Sequence, residues 1–448
     1  MKKSKKIILS SSAFAALTIS VLANSCSVET QNSKVKNDSV EQMLSDPLLA
    51  QKWDSELKIY QRYYNPLFDL IKQKDFANQL QDKYNEIKNS FQELKNLPDV
   101  IIDFATAKTN EAILQLNSNN TEYDFSAVPY YSIINEYKNN ELSAKPVIQT
   151  KTLKFVWSEN DDLVYKDGTE NDPLRKIAQK INDQYSGVII NGTQREFKNW
   201  DINRDKDLLE FDGSKFNRFY NKNNETTYVY RGAILISGDK NLIDQITDAW
   251  NKKDWDRFLS YGLVFRNYKS GGDYKYQISL ISQHFNISIE QINKQLSQNA
   301  KDKSNFIIED VPTQLGKTIN YLGQKKLDRS FNIGFDAEGS LNWTLPGQQA
   351  KFFSPDNDAV VRVLSVTNPA PYDVMLARSG MLDIQAYILK KALQSFSVEE
   401  NLYGLYTGYN AFADIDQNLF ESFIKMQQAA EGVEGFSYSD VKFPKDNE

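Results

Sequence analysis

The sequence predicts an α/β protein, and three observations carry that prediction. Short β-rich runs alternate with longer stretches of 3.6-residue period, several of those runs are apolar throughout, and no segment repeats. With 40% of the 448 residues hydrophobic and 12% aromatic, the chain can fill two or three cores.

Taken in order, "SELKIYQ" (55–61) alternates like a strand and a helix follows across 67–95. "DVIIDFA" (99–105) is continuously apolar, as expected of a strand covered by helices on both faces. "TNEAILQLNS" (109–118) reads as a helix starting with a threonine cap, and "YDFSAV" (123–128) and "KPVIQTKTLKFVW" (145–157) read as strands. Strands separated by helices imply parallel βαβ units. A second α/β region begins near 159–173, where Asp172 followed by Pro173 opens a helix with Leu174, Ile177, Ala178 and Ile181 on one face. "YVYRGAILISG" (228–238) is a buried strand, 240–260 an amphipathic helix, and "GLVF" (262–265), "SFNIGF" (330–335) and 361–380 supply further strands. Helices at 381–396 and 411–431 close the chain.

The single cysteine, Cys26, ends a leader with Lys2, Lys3, Lys5 and Lys6 at its start, an apolar run from Ile7 to Leu22, and small residues at Ala23 and Ser25. That is the layout of a signal peptide (1–25), too short and too serine-broken for a membrane span. Leu22 to Cys26 resembles the lipobox of bacterial lipoproteins, in which the thiol carries a diacylglycerol. Two acyl chains hold a protein stably on a bilayer. Residues 26–50, polar and poor in aromatics, are expected to be a lipidated tether. The leader takes away four of the 53 basic groups and none of the 59 acidic ones, which moves the formal charge from −6 to near −10. Such a surface disfavours nucleic acid. With one cysteine, no intramolecular disulfide can form.

The segment with the most chemistry is "FRNYKSGGDYKYQISLISQHF" (265–285), in which Ser270, Gly271 and Gly272 open a helix whose apolar stripe starts at Tyr274. Open N–H groups and the helix dipole make such a turn an anion site, although a plain glycine turn has the same sequence. Aromatic residues fall after strands at Tyr63, Tyr64, Tyr130 and its neighbour Tyr131, and Tyr372, with Trp343 beyond "FDAEGSLN". Beyond the carboxyl ends of strands is where open α/β sheets bind ligands, core packing being the alternative for each ring. The lone histidine, His284, has no partner for a zinc set or a catalytic pair and is expected to be structural, which argues against an enzyme. Asp167, Glu170 and Asp172 lie close enough in sequence to hold calcium, or to form a capped turn, without EF-hand spacing.

Five blocks, 165–182, 230–258, 331–344, "VTNPAPYDV" (366–374) and "YGLYTGYNAF" (403–412), together resemble the mycoplasma high-affinity transport-system lipoproteins, also called extracytoplasmic thiamine-binding lipoproteins, over roughly residues 50 to 430. The resemblance implies a type II periplasmic-binding-protein fold related to phosphonate-binding proteins, with lobe 1 formed by 51–160 plus 361–448, lobe 2 by 161–360, and crossings near 157–165 and 360–366. It implies a monomer that requires no cofactor, is anchored to the extracytoplasmic face of the membrane, delivers its solute to an ABC permease, and binds thiamine pyrophosphate or a related phosphorylated molecule. In that reading Ser270, Gly271 and Gly272 cradle the phosphate, within an element reaching Tyr274, and Tyr63, Tyr64, Tyr130, Trp343 and Tyr372 stack on the ring. Arg231 and Lys269 are its candidate cations, and Asn368, Asp373 and Asn410 its orienting polar groups. The loops "QRYYNP" and "SAVPYYS" depart from the family's residues, so the ligand follows less directly than the fold. A surface adhesin is the alternative function, an enzyme such as a phosphatase the third.

Overall fold

The computed structural model describes residues 40–61, 68–196, 207–265, 268–301, 305–307, 325–326, 329–339 and 359–444. Cys26, Tyr63, Tyr64 and Trp343 lie outside the described residues.

The strands that build the two main sheets and join them are, in chain order, β1 (Glu56–Gln61), β2 (Ile101–Thr106), β3 (Phe125–Val128), β4 (Lys145–Leu153), β5 (Val229–Tyr230), β6 (Gly232–Gly238), β7 (Leu263–Phe265), β8 (Asn305–Ile307), β9 (Ile333–Ala337), β10 (Val360–Val366), β11 (Ala370–Pro371), β12 (Val374–Ala377) and β13 (Ala411–Ala413). The first sheet runs β13-β4-β12-β3-β1-β2 and the second β8-β7-β9-β6-β10. β1 is parallel to β2 and β3, and β7 is parallel to β8 and β9. The sheets are nevertheless mixed, because β12 lies antiparallel between β3 and β4, and β6 antiparallel between β9 and β10. Both inserted strands enter straight from a crossing between sheets, so they run against the βαβ units. β5 and β11 are those crossings, paired antiparallel through Tyr230↔Ala370 and Val229↔Pro371. Two lobes, each with four co-directional strands and one returning strand inserted among them, constitute the type II periplasmic-binding-protein fold, the first lobe adding β13 antiparallel at its edge.

Several expectations are corrected. Val360–Val366 belongs to the second sheet, so the return crossing lies at 367–373 instead of 360–366. The first crossing directly follows β4, since Trp157 is already buried in the core of the second lobe. β2 is an edge strand with Ile101 57% exposed; its apolar run is buried on one face only. The folded part begins before residue 51: 40–44 and Leu49–Lys52 are helical, and Val40, Met43 and Leu44, one helical stripe, pack on the first core. The helix Thr109–Asn117 has Lys108 at its cap position, without a side-chain cap bond. The stretch 240–260 breaks into Lys240–Asn251 and Trp255–Ser260 at Lys253, which takes φ 55°. Residues 411–413 pair with β4 as β13, and the last long helix, Gln417–Ala430, starts only after the Asp416 cap.

His284 is held inside the second lobe. Its ring stacks on Trp250 at 3.8 Å. Nε2–H donates to the Trp250 carbonyl at 2.8 Å, which leaves Nδ1 to accept from the Tyr165 hydroxyl at 3.0 Å. Burial pushes its pKa down to about 4 from 6.5. A base depressed in the fold contributes stability in full above 6.5, and that contribution is lost as pH falls from 6.5 to 4. For this enclosed ring, 1% exposed, the loss is about 3 kcal/mol. Urea melts of wild type and His284→Gln at pH 7.5 and 4.5 should differ in slope against pH; identical slopes would show that this ring does not govern acid sensitivity.

The same packing decides the role of the "DGTENDP" turn. Gly168 takes φ +74°, and a Cβ there would stand 2.2 Å from His284 Nδ1. Asp172 Oδ2 accepts the N–H groups of Lys166, Asp167 and Gly168 at 2.8–2.9 Å, and Oδ1 accepts that of Leu174 at 2.8 Å. Asp167 is engaged by Thr169, and Glu170 is exposed. The carboxylate expected to bind calcium is saturated by backbone donors instead. Among the described residues no group of three or more His, Cys, Asp or Glu side chains is arranged to hold a metal.

Candidate functional site

The strand ends of the two lobes converge on a layer of phenols and amides beside the hinge. From the first lobe, Tyr409 donates to Asp373 Oδ2 at 2.6 Å and receives Gln61 Nε2 at 3.1 Å, while the Tyr403 hydroxyl donates to Gln61 Oε1 at 3.0 Å. Gln149 fixes the backbone before β12 by donating to the carbonyls of Tyr372 and Asp373, both at 3.0 Å. Tyr372 meets Tyr409 edge-on at 5.6 Å and, from the hinge, Tyr230 at 6.0 Å. Burial raises the pKa of Tyr230, Tyr276, Tyr372 and Tyr409, so these groups stay neutral.

From the second lobe comes the glycine turn. Ser270 caps it, its Oγ accepting from the Asp273 N–H at 3.2 Å and donating to Asp273 Oδ2 at 2.9 Å. Gly271–Lys275 winds as a π turn before the α-helix Tyr276–Phe285, a wide opening of a kind frequent at functional sites. The first N–H groups of such a segment have no intrahelical acceptor. Both glycines are buried and closely covered: a Cβ on Gly271 would lie 2.7 Å from the Tyr276 hydroxyl, and one on Gly272 would lie 3.3 Å from the Tyr230 ring. Space, not conformation, dictates glycine here.

The turn is tied to the first lobe. The hydroxyls of Tyr230 and Tyr276 are 2.8 Å apart, and Gln427 Nε2 donates to Tyr276 at 3.0 Å and to Glu431 Oε1 at 2.9 Å. Lys275 Nζ donates to Glu431 Oε2 at 3.0 Å and stands 5.5 Å from the centre of the Tyr131 ring.

Of the expected residues, Ser270, Gly271, Gly272, Tyr372 and Asp373 are brought to this junction. Tyr130 is not: fully buried, it packs between Phe420 and Phe423 and donates to Gln149 Oε1 at 2.7 Å. Its neighbour Tyr131 faces the junction. Tyr274 turns into the second core, 4.7 Å from Phe265, with its hydroxyl on Asn293. Arg231 is 5% exposed and gives its guanidinium to the carbonyls of Thr367 at 3.0 Å and Asp161 at 3.3 Å, so it clamps the crossings. Asn368 accepts from the Tyr165 N–H at 2.7 Å, and Asn410 fastens β4 by accepting from the Leu153 N–H at 3.1 Å; both are structural. Lys269 is exposed on the loop before the turn. Missed by sequence reasoning were Gln61, Tyr230, Lys275, Tyr276, Gln427 and Glu431, while Tyr131 was picked out only as the neighbour of Tyr130. Only Lys275 carried a local signal, its position four residues after Gly271 on the same helical face. Beside Tyr230 lies a small cleft of about 30 Å³, walled by apolar Phe155 and Val229 as well as by Thr152, Asp161, Arg231 and Glu338.

Neutral phenols, amides and one lysine–glutamate pair around a helix opening, between two hinged lobes, define a small-molecule binding protein: the fold and the site are those of a solute-binding protein. The chain belongs to the extracytoplasmic thiamine-binding lipoprotein family, whose family model matches residues 74–430. It is 27% identical over 424 residues to the high affinity transport system protein p37 of Mesomycoplasma hyorhinis, spanning 93% of this chain and 96% of that protein. To the p37 of Mycoplasma pneumoniae it is 25% identical over 294 residues, 61% of this chain and 69% of that protein. The solved structure of Mycoplasma hyorhinis Mh-p37, a proposed thiamine pyrophosphate transporter, matches with a TM-score of 0.72 at 24% identity, over 85% of this chain and 99% of that one. Among the described residues no helix is long and apolar enough to cross a membrane.

Proposed function

We propose that this chain is the lipid-anchored solute-binding component of an ABC transporter, held to the outer face of the membrane through Cys26, with thiamine pyrophosphate or a closely related phosphorylated molecule as its ligand. The observation that carries the reading is the placement of the Gly271–Gly272 helix opening against Tyr131, Tyr230 and Tyr372 at the hinge. Family membership and the ligand proposed for Mh-p37 support it. Magnitudes explain why both halves of the site are needed. A helix N-terminus contributes about 0.3–2 kcal/mol and a charge-assisted hydrogen bond about 1.5–3 kcal/mol, whereas micromolar binding needs about 8 kcal/mol net. A cationic ring over a desolvated tyrosine adds about 2 kcal/mol.

Calorimetry with thiamine, thiamine pyrophosphate and inorganic pyrophosphate tests the ligand. Thiamine pyrophosphate should bind at least tenfold more tightly than either fragment; no detectable heat with it would sink the assignment. Fractionation of a Cys26→Ser variant tests the anchor, which requires the variant to leave the membrane fraction.

A further inference from the structure

We infer that Lys275 and Glu431 form an exchangeable ion pair that selects a ligand carrying both a multiply charged anion and a cation. The inference rests on the thiamine pyrophosphate reading and assigns two residues to it. Lys275 closes the first turn of the helix opened by Gly271, and four residues apart on a helix is one face. Its ammonium reaches across to the first lobe, where Glu431 Oε2 holds it at 3.0 Å; the two side chains are 31% and 16% exposed. The Glu431 carboxylate is itself fixed, since its other oxygen accepts from Gln427 at 2.9 Å. The Tyr131 ring, 5.5 Å from the ammonium, makes the third wall. Arg231, another basic group near the hinge, is committed to backbone carbonyls.

An anion entering at Gly271 and Gly272 meets Lys275 already paired. A singly charged anion offers Lys275 no more than the carboxylate does, and it leaves Glu431 half-buried without a counter-charge, which is costly. A pyrophosphate group offers more charge and the helix N–H groups besides, yet it still strands Glu431. A ligand that brings its own cationic ring resolves the exchange: its phosphate takes Lys275, and its cation takes Glu431 and the face of Tyr131. The pair is then replaced on both sides, and no charge is left alone. Specificity of this kind works by penalising the incomplete ligand as well as by attracting the complete one.

The test is calorimetry of thiamine pyrophosphate and inorganic pyrophosphate on wild type, Glu431→Gln and Lys275→Gln, with thermal melts to confirm folding. Glu431→Gln should strengthen inorganic pyrophosphate about tenfold while thiamine pyrophosphate stays level or weakens, so that the preference for the complete ligand falls about tenfold. Lys275→Gln should weaken both by about tenfold or more. If wild type and both variants show the same preference, the exchange does not occur, although the ligand assignment stands. If wild type binds neither probe, the ligand assignment fails and the exchange with it.

Discussion

Arg378→Met is expected to cost about 3–5 kcal/mol of stability, because it removes one side of a buried charge network and leaves the rest in place. Arg378 is 5% exposed at the end of β12. Its Nε donates to Asp124 Oδ1 at 2.8 Å, Nη2 to Asp54 Oδ2 at 2.9 Å and Nη1 to Asn119 Oδ1 at 3.0 Å. Asp124 is fully buried, and its second oxygen accepts the Lys58 N–H at 2.9 Å. The network therefore ties β12 to the starts of β3 and β1, the far ends of the strands that present the site. Burial pushes the Asp124 pKa up to about 6 even against the pull of Arg378, and without the guanidinium it rises further. A carboxyl whose pKa is raised in the fold adds stability at low pH that is lost as pH rises through the folded value. The penalty of Arg378→Met should accordingly be smaller at pH 5 than at pH 8. Urea denaturation at both pH values measures it, and Arg378→Met/Asp124→Asn should recover a good part of the loss. A penalty under 1 kcal/mol at pH 8 would show that the network is dispensable.

Patterns of local origin were readable in the sequence. Asp172-Pro173 marks a helix start because the carboxylate caps and proline needs no partner for its missing N–H, and the structure has both. Leu174, Ile177, Ala178 and Ile181 are all buried, as their spacing requires. The Ser270-Gly271-Gly272 turn was readable for the same reason, since capping and close approach are short-range demands. Strand direction was not, because β6 and β12 owe their antiparallel setting to crossings between lobes that leave no periodic trace. Nor could the sequence tell Tyr130 from Tyr131: the two are adjacent, and one step around the short 3-10 turn Tyr130–Ser132 sends one ring to the core and the other to the junction. Glu431 lies 156 residues from Lys275, and on the sequence it is one more acid at the end of an amphipathic helix. Arg231 misled for a related reason, as a basic residue beside a buried strand has the same spelling whether it serves a ligand or two carbonyls of the hinge.

Gly271→Ala is expected to weaken thiamine pyrophosphate and inorganic pyrophosphate on the order of 100-fold while sparing thiamine. The added methyl would lie 2.7 Å from the Tyr276 hydroxyl and 2.8 Å from the ring carbon that bears it. A tyrosine on the surface would swing aside, but Tyr276 is 1% exposed and held by Tyr230 and Gln427. Either the ring moves and those bonds break, or the turn backs away from the junction. Overpacking of this sort costs about 1–3 kcal/mol, and the turn, being the end of a helix, yields more readily than the core. Backing away takes the open N–H groups and Lys275 out of line with the phosphate, and 2.7 kcal/mol of lost binding is about a hundredfold. Tyr276→Leu provides the reference that separates clash from chemistry: in that background the methyl has room, and Gly271→Ala should cost about tenfold less than it does in the wild type. Calorimetry on the four proteins, with thermal melts to confirm folding, measures both quantities. Should Gly271→Ala bind thiamine pyrophosphate within threefold of wild type, the phosphate does not sit at this turn, whatever the family of the ligand.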